Sequence, residues 1–209
     1  MKRTAYLLAP LLLALAGFYL WHTPLQGPLT NAEVDAFMAN QAATSGTAWT
    51  DIEAFEAFLR EDDGRPFVMI NLMEVRDVAI YPDGTDTESR SGAEADAAYG
   101  RAVFPLLLKR GSYPVTRAER YHTIINSLGQ SAAEFQSLAL VRYRSRRDLI
   151  DMLASDAFLA AGVDKWASLE NTLVAPSRRA PSFQLIGYLP VFLLTGVAII
   201  LVQAAYRRR

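Results

Sequence analysis

Four kinds of side chain in the middle of this chain have the polarity and reach to do chemistry, and each has an ordinary structural alternative. Asn71 interrupts an apolar run made of Phe67, Val68, Met69, Ile70, Leu72 and Met73. In a strand it shares one face with Phe67, Met69 and Met73. A buried amide must be hydrogen-bonded, either by neighbours that fix the strand register or by a ligand. His122 is the only histidine of the central region, the other being His22. It is the side chain best suited to act as a general base near neutral pH, and it also reads as a structural or exposed residue. Arg101, Arg120 and Arg142 carry planar guanidinium groups that grip carboxylates with two prongs, or that pair with the many local Asp and Glu. Tyr99, Tyr121 and Tyr143 either line the same cavity or finish the sheet.

Other chemistries are excluded or unsupported. The chain has no cysteine, hence no disulfide, thiol nucleophile or thiolate metal site. A single central histidine does not support a haem or multi-histidine metal centre, so neither a cofactor nor a metal is expected. Asp83, Asp86 and Glu88 alternate as in a calcium loop, but the twelve-residue pattern with its terminal glutamate is missing, and a solvated loop is the expectation. No glycine-rich phosphate loop or nucleophile elbow is present.

The net charge of −1 hides a division. All 22 Asp and Glu lie between Glu33 and Glu170, whereas Lys2, Arg3, Arg178, Arg179 and Arg207, Arg208 and Arg209 sit in the tails. The middle is therefore acidic, which argues against nucleic-acid binding.

These residues need elements to position them. Thr30 with Glu33, Thr50 with Glu53, Ser91 with Glu94 and Ser145 with Asp148 have the spacing of helix caps. Apolar stripes follow each: Val34, Phe37 and Met38; Ile52, Phe55, Phe58 and Leu59; Tyr99, Val103, Phe104, Leu106 and Leu107; Leu149, Ile150, Met152 and Leu153. Pro105 is expected to kink or divide its helix, and a polar stretch from Asn40 to end the first. Strand patterns cover 67–73, 113–125, 138–143 and 171–175. The order strand, helix, strand, strand, helix, strand predicts an α+β fold of ferredoxin-like split βαβ type, an antiparallel sheet with helices on one face. A second copy's sheet is the economical cover for the other face, so a homodimer through that face is expected.

The ends are apolar. Residues 4–21 form a run of about 18, near the lower limit for a bilayer span, preceded by Lys2 and Arg3 and closed by Trp21; it reads as an N-terminal membrane anchor or a cleaved signal peptide over 1–22. Residues 183–206 read as a C-terminal transmembrane helix, followed by the basic tail 207–209. A linker and helical lead-in over 23–64, the α+β domain over 65–176 and a linker over 177–182 complete the division. Flanking cations favour both tails inside. The expectation is an integral protein of a bacterial inner membrane with its central domain on the periplasmic side.

Residues 67–175 resemble a bacterial family of small domains of unknown function in the dimeric α+β barrel superfamily. The resemblance rests on Asn71-Leu72-Met73, on Ser91-Gly92, Tyr99, Pro105 and Gly111, on Val141 to Arg146 and on Met152 to Ser155. Lys165 to Leu169 is similar to the family's Arg-x-Ala-Gly-Leu, with Lys165 for Arg and Ser168 for Gly; Arg144 stands where the family has proline. The resemblance implies the fold and a dimer. Superfamily relatives include cofactor-independent monooxygenases, isomerases and haem-degrading enzymes.

Three functions are open. The first is a membrane-anchored dimeric domain binding a small hydrophobic or carboxylated ligand, or a membrane partner, through Asn71, Tyr99, Arg120, His122 and Arg142. The second is a cofactor-independent monooxygenase or isomerase on a lipophilic substrate, using His122 and Asn71 for catalysis. The third is a structural subunit of a membrane complex. The second requires Asn71, His122 and Arg120 or Arg142 to converge.

Overall fold

Short polar side chains start the helices, as their spacing predicts. In the computed structural model, which describes residues 2–44, 51–82, 90–122, 135–178 and 181–207, Ser91 Oγ accepts from Glu94 N while Glu94 returns a bond to Ser91 N. Thr30 and Glu33 make the same reciprocal pair, and Ser145 Oγ accepts from Asp148 N. Each bond satisfies an amide that the first helical turn leaves open. Ahead of the next helix Asp51 accepts from Ala54 N at 2.9 Å; Thr50, the expected cap, lies outside the described residues.

The elements are α1 (Lys2–His22), α2 (Asn31–Thr44), α3 (Ile52–Arg60), β1 (Phe67–Val75), α4 (Gly92–Lys109), β2 (Tyr113–Glu119), β3 (Ser137–Tyr143), α5 (Arg146–Leu153), α6 (Asp156–Ser168), β4 (Leu169–Ser177) and α7 (Pro181–Arg207). α2 runs past Asn40 because Gln41, Ala42 and Ala43 are adequate helix formers. α4 stays one helix through Pro105. Residues 123–125, expected as strand, and the acidic loop with Asp83, Asp86 and Glu88 lie outside the described residues.

The sheet is antiparallel with strand order β2-β3-β1-β4, so the α+β expectation holds. Phe67 pairs with Tyr143, Met69 with Val141 and Asn71 with Ala139; this register puts Phe67, Met69, Val141 and Tyr143 on one face, where they pack with Val103 and Leu107 of α4, Leu149 and Met152 of α5 and Ala161 of α6. Alternation sends Val68, Ile70, Leu72, Leu138, Leu140 and Arg142 to the other face. A second cluster joins Val34 and Phe37 of α2, Leu59 of α3 and Ile150 of α5, so the lead-in helices belong to the same unit as the sheet, Gln26–Arg178.

A separate unit joins Met1–Leu25 to Arg179–Arg209, where α1 packs against α7. The transmembrane expectation is corrected here. Among the described residues no helix is long and apolar enough to cross a membrane. The first apolar run is minimal for a span and contains Pro10; the second is interrupted by Pro190 and Thr195. With the two spans fall the signal-anchor reading, the topology argued from flanking cations and the assignment as an integral inner-membrane protein with a periplasmic domain.

Candidate functional site

The start of α4 is pressed against the end of β1. A Cβ on Gly92 would lie 2.1 Å from the Arg76 carbonyl oxygen, so only glycine permits this approach. From that fixed start, helical spacing puts Asp96, Tyr99, Val103 and Leu107 on the stripe that faces the sheet. α6 packs against α4 and turns Phe158, Ala161 and Lys165 inward at the same spacing; Ser168 Oγ donates to Lys165 O at 2.8 Å and closes the helix. The result is a layer between helices and sheet that is apolar except for Asp96, Tyr99, Tyr143, Lys165 and Asn71.

Lys165 is the unusual member. Its Nζ lies 4.8 Å from the ring centroid of Trp166 and 5.8 Å from that of Tyr99, within the range of cation–π attraction. The acidic group that bears on it is Asp96. That carboxylate is already taken, because Arg117 Nη2 lies 2.8 Å from Asp96 Oδ2. Among the described residues no carboxylate forms an ion pair with Lys165. Desolvation by the surrounding protein pulls the Lys165 pKa down, with Asp96 opposing weakly.

Burial pushes the Tyr99 and Tyr143 phenols well above their ordinary range. Both stay protonated at neutral pH. Phe158 meets the edge of Tyr99 at 6.5 Å, and Phe67 stacks on Tyr143 at 5.3 Å. Tyr99, Tyr143 and Lys165 nonetheless keep part of their surface accessible. Asn71 completes the set from the sheet side: its Nδ2 donates to Met69 O and Ala139 O, each at 3.3 Å.

The expected site residues divide. Asn71 and Tyr99 lie in the helix–sheet layer. Arg142 is on the opposite face, 3% exposed, with Nη1 donating to Gly111 O at 2.7 Å and the guanidinium 5.3 Å from the Tyr113 ring centroid. Arg120 and His122 are exposed beyond the end of β2, as are Tyr121, at 98%, and Arg101 on α4. The convergence that an oxygenase or isomerase requires does not occur. Lys165 and Asp96, absent from the expected residues, also lie in this layer. Their signal was a charged side chain in the inward stripe of each helix, visible only once the inward faces of α4 and α6 are known.

A shallow depression of about 390 Å³ also opens at the end of β1, between Glu74, Arg76, Asp77, Gln136 and Glu170. Arg76 there is paired with Glu170.

No family model matches the chain, and no curated protein matches it. Solved structures do. The crystal structure of methylated RPA0582 protein is 26% identical, covering 63% of this chain and 93% of its own, with a TM-score of 0.54. A crystal structure of RPA0582, described as a protein of unknown function from Rhodopseudomonas palustris, is 25% identical, covering 63% and 94%, with a TM-score of 0.53. The chain is thus similar, over most of their length, to bacterial proteins that share its antiparallel α+β architecture and whose names carry no activity.

Proposed function

We propose that Gln26–Arg178 is a small-molecule binding domain that takes a compact, mainly apolar molecule bearing a carboxylate into the layer between α4, α6 and the sheet. The observation that supports this most is Lys165, a desolvated but partly accessible ammonium that forms no carboxylate ion pair among the described residues and whose neighbour Asp96 is engaged by Arg117. A desolvated charge without an ion-pair partner is disfavoured, and a ligand carboxylate supplies the missing counter-charge. Tyr99 and Tyr143 donate to the same group, Asn71 adds an amide, and Phe158, Phe67 and Trp166 supply apolar walls.

A second copy of the chain is the occupant we propose for the other face of the sheet. That face is apolar along Ile70 and Leu72, along Leu138 and Leu140, and at Leu173, which is 47% exposed, while Val68 at its end is already buried. A matching face on a partner buries it without new chemistry.

Calorimetric titration of the full chain with benzoate and with benzamide tests the binding reading. Benzoate is expected to bind at least tenfold tighter, an advantage that Lys165→Met removes. Equal affinity for the two, unchanged in the variant, contradicts it.

A further inference from the structure

We draw no further inference here: the strongest candidate, the shallow depression at the end of β1 between Glu74, Arg76, Asp77, Gln136 and Glu170, carries none, because it is a cluster of acidic side chains around an arginine already paired with Glu170 and no second observation points to a ligand there.

Discussion

The two faces of the β1–β3 ladder are made by alternate residues of the same strands, and they have opposite needs. Phe67, Met69, Val141 and Tyr143 lie under α4, α5 and α6, where every polar group must be answered inside the layer. Val68, Ile70, Leu72, Leu138 and Leu140 carry almost no polar demand; the one charge among them, Arg142, is met by the Gly111 carbonyl. The covered face therefore gathers the polar groups through which a ligand is proposed to bind. The open face is the one for which a second copy is proposed as the cover. A one-residue slip in register would exchange the two roles, which is why the Phe67–Tyr143 pairing matters to function as well as fold.

Four changes break or sharpen this contrast. The largest effect is expected at the covered face, where Phe67, 6% exposed, stacks on Tyr143 and meets the edge of Phe58 at 5.2 Å. Phe67→Ala should lower unfolding free energy by about 3–5 kcal/mol, read by urea denaturation. On the open face, Leu72→Glu should weaken self-association about 100-fold, roughly 2.7 kcal/mol, in sedimentation equilibrium, with benzoate binding retained. Unchanged association would separate that face from any dimer. Lys165→Met should reduce benzoate affinity at least tenfold, about 1.4 kcal/mol, yet leave stability at or above wild type, because it removes an interior ammonium. A loss of stability instead would make Lys165 a structural residue.

The smallest effect lies away from both faces, where Arg147 ties α2 to α5 through Glu33. The Arg147 guanidinium, with help from Thr30, holds the Glu33 carboxyl at about 2, below its ordinary 4.5. A depressed acid pKa stabilises the fold above 4.5 and loses that contribution as pH falls toward 2. The stability gap between wild type and Glu33→Gln should be flat from pH 7 to 5 and shrink between 4.5 and 2.

Local chemistry made the fold legible in the sequence. The spacing of Ser91 and Glu94 marks a helix start, and the alternation from Phe67 to Met73 marks a strand with two unlike faces. Asn71 and Tyr99 were also within reach, because a polar residue in an apolar pattern is visible without coordinates. Lys165 was not, since its environment comes from α4 and β3, far away in the chain. Arg142 misled for the converse reason: a central arginine looks like an anion site until the Gly111 carbonyl is seen beneath it. The terminal runs misled through composition, as apolar content alone does not make a helix long and apolar enough to cross a membrane.

Lys165 is central to the proposed binding as a desolvated ammonium that a ligand carboxylate completes. With three lysines in the chain, 13C-labelled lysine gives three side-chain signals whose titration is followed by NMR with and without benzoate. Lys165 is expected to titrate below the ordinary lysine range in the free protein and to move upward when benzoate binds, since an anion stabilises the charged form. Titration in the ordinary lysine range, unmoved by benzoate, would contradict it.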